Sequence, residues 1–244
     1  MGQSRGGHII VTGGASGIGA AAVEQLAGCC ARVTVFDLQD PVAGSRFENV
    51  DYMAVDVSEE PAVAEAIARA RTRGGVVTGL VTCHGIRGAF LPAVDLDVEH
   101  TRRVLDVHVL GTLVVSRAVV QQLAGTPASI VTVSSTTAYG GWEKQADYGV
   151  AKAAVRQLTE NLAIEWAPGG VRVNSVAPGH TLTPMVQEML DGGYDAGSVF
   201  ARTPLGRFAT PQEVADCIVF LLLDATFVTG QCLAVDGGWT AVGK

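Results

Sequence analysis

Short apolar runs recur along the chain and alternate with longer stretches whose apolar positions return every three or four residues. The first kind predicts strands near 8–12, 31–37, 50–55, 78–83, 128–134, 170–176 and 230–235. The second predicts helices near 17–28, 59–72, 97–123, 146–167 and 211–223. Pro61 falls in the first turn of its helix, where the missing N–H is harmless, and Pro168, Gly169 and Gly170 close another. Strand and helix alternate with no long linker and no internal repeat, which predicts a parallel sheet covered on both faces. Right-handed crossovers then give an α/β, doubly wound, seven-stranded parallel sheet of Rossmann type as a single domain over 1–244. A ligand is expected at the carboxyl ends of the strands, at the switch point.

The first strand runs from His8 through Thr12 into Gly13-Gly14-Ala15-Ser16-Gly17-Ile18-Gly19 and an Ala-rich helix. Glycines let backbone approach a pyrophosphate, and the helix N-terminus offers free N–H groups with a positive dipole end. The second strand ends at Asp37, about twenty residues on, where an acid meets the adenosine ribose. An acid there favours two ribose hydroxyls and repels a 2′-phosphate, so the expected cofactor is NAD and not NADP. Further along, Tyr148 and Lys152 stand four residues apart on one helical face, and Ser135 closes the strand before them. A phenol ordinarily titrates near ~10, so a Tyr acting as a base near neutrality needs a fixed cation such as Lys152 beside it.

In order and in spacing, these motifs resemble the short-chain dehydrogenase/reductase family in its form of roughly 250 residues, over nearly the whole chain. The resemblance implies that Thr12 to Gly19 form the cofactor turn, with Gly13, Ser16, Gly17, Ile18 and Gly19 against the cofactor. Asp56, next to Val57, takes the adenine amino group, and Ser135, Tyr148 and Lys152 are the catalytic set. Lys152 also binds the nicotinamide ribose. Asn174 to Thr183 look like the family's Pro-Gly segment, which holds the carboxamide through the Thr181 backbone and the Thr183 hydroxyl. Two departures stand out. After the fourth strand the family has Asn-Asn-Ala-Gly, whereas this chain has Cys83, His84 and Gly85 at the cofactor. His108 stands where the family has an Asn that bends a helix and holds a relay water. An imidazole titrates near ~6.5, so His108 is counted with the catalytic residues as a candidate relay group, beside the alternative of a buried, hydrogen-bonded replacement.

The segment 182–210 interrupts the alternation and is expected to be a substrate lid. Met185, Val186, Met189 and Leu190 recur at helical spacing before the flexible Asp191-Gly192-Gly193. Tyr194, Phe200, Ile86, Phe90, Tyr139 and Trp142 are candidates for the rest of a pocket for a small, partly apolar, cyclic alcohol or diol.

Composition narrows the alternatives. With 244 residues there is room for one sizeable core but not for a second catalytic domain. A net charge of −7 gives no footprint for nucleic acid or an anionic membrane. Five cysteines without a Cys-x-x-Cys pattern and five scattered histidines predict reduced thiols and no metal. The opening residues 1–7 lack the apolar stretch of a secretory signal, and the longest apolar run, 218–223, is too short for a bilayer. The expectation is a cytoplasmic oxidoreductase acting on a small molecule, with a homodimer or homotetramer implied by the resemblance. Two other readings are a 3-oxoacyl carrier-protein reductase and a NAD-binding sensor or scaffold that has lost its chemistry. Asp37 and the uncharged 121–126 stretch speak against the first, and the intact Ser135, Tyr148 and Lys152 against the second.

Overall fold

The apolar runs pair as seven parallel strands in the order β3-β2-β1-β4-β5-β6-β7. They are β1 (Gly6–Thr12), β2 (Cys30–Asp37), β3 (Val50–Ala54), β4 (Val77–Thr82), β5 (Ala128–Val133), β6 (Val171–Pro178) and β7 (Cys232–Val235). The computed structural model describes residues 6–41 and 47–242; residues 1–5, part of the opening segment considered for a secretory signal, lie outside it.

Alternation along each strand builds two apolar layers. Ile10, Leu80, Ile130 and Val173 face one side, with Val63 and Ile67 of α2 (Glu60–Gly74), Val115 and Val119 of α4 (Gly111–Gln121) and Leu162 of α5 (Tyr148–Trp166). Ile9, Val11, Val81 and Val131 face the other, with Val23 and Leu26 of α1 (Gly17–Ala27) and Val214 and Ile218 of α8 (Pro211–Val219). Ile10, Leu80 and Ile130 are fully buried, and each such side chain contributes ~1.5–3 kcal/mol. Successive strands are added in one direction from β1 to β3 and in the other from β4 to β7, so a crevice opens above the carboxyl ends of β1 and β4.

Three helices differ from the pattern. The predicted helix over 97–123 is α3 (Val98–Leu105), a π turn at Asp106–Leu110 and α4. By length and composition this run, Val98–Gln121, with mean hydropathy 1.4, is apolar enough to cross a membrane. Its apolar side is occupied by the sheet, where Val104, Val115 and Val119 are fully buried. The helix expected over 211–223 likewise turns to π geometry at Phe220–Asp224. The helix expected from 146 starts at Tyr148, because the Asp147 carboxylate accepts from the Tyr148 N–H at 2.7 Å and ends the preceding loop there. The 182–210 segment holds two short helices, α6 (Pro184–Asp191) and α7 (Ala196–Arg202).

Candidate active site

One cleft of about 410 Å³ at the switch point is lined by every residue expected at the cofactor or in catalysis, from Gly13 and Asp37 through His108, Ser135, Tyr148 and Lys152 to Thr181 and Thr183. At its floor Gly13 has φ +66°, and a Cβ there would lie 2.6 Å from the His84 backbone. Only glycine permits that approach. α1 begins beside it with Ser16 as a cap that makes no side-chain bond and no acid in the first turn. These free amides and the dipole end fit a pyrophosphate. Asp37 accepts from Ala15 N and from Gln39 N, each at 2.9 Å, so its carboxylate is pinned at the cleft wall.

Asp56 is held by more than the resemblance implied. Burial alone would raise its pKa, but hydrogen bonds from the Ser58 hydroxyl and amide and from Arg103 outweigh burial and hold it at about 2. Arg103, which also lines the cleft, donates to Asp56 Oδ2 at 2.9 Å. Sequence reading missed Arg103, because it lies on α3, 47 residues from its partner.

Ser135 beside Tyr148 pulls the phenol's pKa down, yet burial dominates and pushes it up to about 12. Lys152 is 5% exposed; burial lowers its pKa to about 8, opposed by Cys83. Its Nζ donates to the Val133 carbonyl at 2.8 Å and lies 5.6 Å from the Tyr148 ring centre. One of three ammonium protons is thereby fixed and the ammonium is held on the cleft side of β5.

The two histidines that depart from the family pattern hold the π turn at Asp106–Leu110. His84 Nε2 donates to the Val107 carbonyl at 3.1 Å and Nδ1 accepts from the Thr12 hydroxyl at 2.5 Å, tying β1 to the turn. Thr112 donates to the His108 carbonyl at 2.7 Å. His108 Nε2 lies 2.9 Å from the Ile86 carbonyl and 3.2 Å from its amide, while Nδ1 is sealed without a partner among the described residues. An unpaired acceptor is less costly than an unpaired N–H, which favours the Nε2–H tautomer. Burial lowers His84 to about 3 and His108 to about 2, with Lys152 adding to both. Both rings are therefore neutral at ordinary pH, and His108 stands edge-on to Tyr148 at 5.4 Å.

Asp147, fully buried, joins Tyr148 to the loop after β4. It accepts from Ala89 N as well as from Tyr148 N, and His100 Nε2 lies 3.9 Å away. Of the expected pocket residues, Ile86, Met185 and Val186 line the cleft. Tyr139 is oriented otherwise, its hydroxyl bonding the Cys232 carbonyl at 2.8 Å on β7. Trp142 stacks on Trp239 at 4.9 Å, and Phe200 packs on Phe208 at 4.8 Å. His180 and Trp239, absent from the sequence reading of the pocket, belong to this aromatic group.

Residues 13–240 match the family described as enoyl-(acyl carrier protein) reductase. The 2,5-dichloro-2,5-cyclohexadiene-1,4-diol dehydrogenase of Sphingobium indicum is 36% identical over 252 residues, covering 99% of this chain and 100% of that protein. The cis-4-hydroxycyclohexanecarboxylate dehydrogenase of Sinomonas cyclohexanicum is 38% identical over 244 residues, covering 96% of each. The solved structure of ElxO with NADP bound is 27% identical with a TM-score of 0.90, covering 97% of this chain and 99% of that one.

Proposed function

The chain belongs to the short-chain dehydrogenase/reductase family, and from that membership we propose that it is a NAD-dependent oxidoreductase interconverting a small cyclic secondary alcohol or diol with its ketone. The observation that carries this reading is the meeting of Ser135, Tyr148 and Lys152 with the glycine turn and Asp37 in one cleft. Relatives named as ring-alcohol dehydrogenases support the substrate class.

The nicotinamide, when bound, supplies the redox half of the chemistry. Ser135 holds the substrate oxygen, and the Tyr148 hydroxyl takes its proton in oxidation or returns it in reduction. A phenol held near 12 is protonated at rest, so Tyr148 is poised as the acid. Use as a base requires the Lys152 charge to stabilise the phenolate. Arg103, through Asp56, fixes the adenine end, and Asp37 selects the unphosphorylated ribose. The 182–210 segment acts as the lid, with Met185 and Val186 over the cleft. Exposed Val150 and Ile164 on α5 support pairing of this helix between copies in a dimer or tetramer.

The test is nicotinamide absorbance with NAD and NADP across cyclic alcohols, diols and ketones. The expected result is turnover with kcat/KM at least ~100-fold higher for NAD, as expected of a like-charge clash at Asp37. Equal use of both cofactors sinks the NAD assignment. Tyr148→Phe is expected to lose at least ~10³-fold in kcat while still binding NAD. A substantial residual rate in that variant removes Tyr148 from the mechanism. Tight NAD binding with no turnover on any compound replaces the enzyme by the sensor.

A further inference from the structure

His180 follows Pro178 and Gly179 at the end of β6, and its ring is the hub of an aromatic cluster. Trp239 lies 5.3 Å from it, Trp142 5.7 Å, Tyr194 5.9 Å in a stacked pose and Phe208 6.1 Å. Trp142 comes from the segment after β5, Tyr194 from the turn between α6 and α7, and Trp239 from beyond β7. Phe90, from the loop after β4, meets the Tyr194 edge at 6.3 Å. The cluster is thus assembled from the carboxyl ends of the strands that carry the active site, and the neighbours of His180, Gly179 and Thr181, line the cleft.

Within this aromatic setting the Nδ1 of His180 is left open. Burial lowers His180 to about 4 and raises Tyr194, so both are neutral near neutrality. The Tyr194 hydroxyl and His180 Nε2 are 3.0 Å apart. A phenol is the stronger donor and an imidazole nitrogen the stronger acceptor, so Tyr194 donates and the ring proton resides on Nδ1. That Nδ1 makes no hydrogen bond among the described residues, and it is not sealed as the Nδ1 of His108 is. An accessible N–H in an aromatic cluster beside the cleft can meet an acceptor on a ring-shaped ligand that reaches past the cleft mouth.

Resting on the proposed function, we propose that the Nδ1–H of His180 donates to a second oxygen on the substrate ring, remote from the reacting carbinol. The enzyme then selects cyclic diols, hydroxyketones and diones over rings carrying one oxygen. Tyr194 is the positioning residue that fixes the tautomer.

Cyclohexane-1,4-diol and cyclohexanol are compared by kcat/KM, and cyclohexane-1,4-dione and cyclohexanone by quenching of Trp fluorescence with the oxidised cofactor bound, where no hydride is available. The two-oxygen ligand is expected to be favoured about tenfold in both assays, the worth of one hydrogen bond. His180→Phe brings both ratios to about one, His180→Gln, which keeps a donor, restores part of them, and Tyr194→Phe lowers them about threefold. Circular dichroism confirms that each variant is folded. Ratios near one in the unaltered enzyme, or ratios unchanged in His180→Phe, overturn the inference. If no ring compound is turned over with either cofactor, the proposed function fails. The dead-end titration then decides this inference alone, and equal affinity for dione and ketone overturns it.

Discussion

The two π turns sit at opposite ends of the sheet and are locked by opposite chemistry. A π turn carries carbonyls out of the regular i to i+4 ladder, and buried carbonyls need partners. At Phe220–Asp224 the partner is Arg172, near the start of β6. Its guanidinium donates to the carbonyls of Leu221 and Leu222, each at 2.9 Å, to that of Val228 at 3.1 Å, and to the Ser129 hydroxyl. At Asp106–Leu110, beside Tyr148 and Lys152, the partners are the neutral imidazole of His84 and the hydroxyl of Thr112. The structural end thus uses a permanent cation in a rigid fork. The cleft end uses a neutral ring, which adds no positive charge next to Lys152. A second fixed cation there would lower the Lys152 pKa further and compete for the Tyr148 phenolate.

The largest effect that would sharpen this contrast is Arg172→Met, which leaves several acceptors unpaired and is expected to destabilise by about 3–4 kcal/mol in urea unfolding. A loss below about 1 kcal/mol would mean that water replaces the guanidinium. Next is acid. His84 and His108 have folded pKa values of about 3 and about 2, below the 6.5 of the free side chain. Between those values the unfolded chain binds protons the folded one refuses, so stability is complete above pH 6.5 and falls as pH drops. The loss is about 2 kcal/mol per imidazole from pH 6.5 to 5. His8, also lowered by burial, adds with the same sign. Thermal unfolding across that range is expected to show the fall, and His84→Asn to flatten it; an equal slope in the variant would place the acid sensitivity elsewhere. Thr112→Val removes the smaller brace and is expected to cost about 1 kcal/mol, with kcat reduced more than KM is raised, because the displaced turn carries His108 away from Tyr148. The smallest effect is on the pH–rate profile of His108→Asn. A ring held neutral to about 2 leaves no ionisation near neutrality to remove, so the acidic limb is expected to stay where it is. A shifted limb would restore His108 to the proton relay.

The pattern of short apolar runs located all seven strands to within about two residues, because a parallel sheet covered on both faces buries consecutive residues and so leaves unbroken apolar runs. The meeting of the glycine turn, Asp37, Ser135, Tyr148 and Lys152 in one cleft was equally legible, since each is a short motif at a fixed place relative to a strand end. The π turns were not. Apolar spacing over 97–123 continues through the turn, and what creates it is a partner outside the helix, such as His84. Arg103 against Asp56 and Tyr139 against Cys232 were hidden for the same reason, as pairs set by the fold over separations of 47 and 93 residues. The aromatic cluster escaped because His180 and Trp239 are single residues whose neighbours come from four different loops.

The Asp147 carboxylate grips the amide of Ala89 with one oxygen and the first amide of α5 with the other. The loop after β4 and Tyr148 are therefore two ends of a single lever. A ligand that presses on the loop at Ala89 transmits the displacement through Asp147 to Tyr148, and a proton transfer loses rate steeply with small misalignment. Under the proposed function, an oversized ring that presses on this loop is expected to slow the reaction more than it weakens binding.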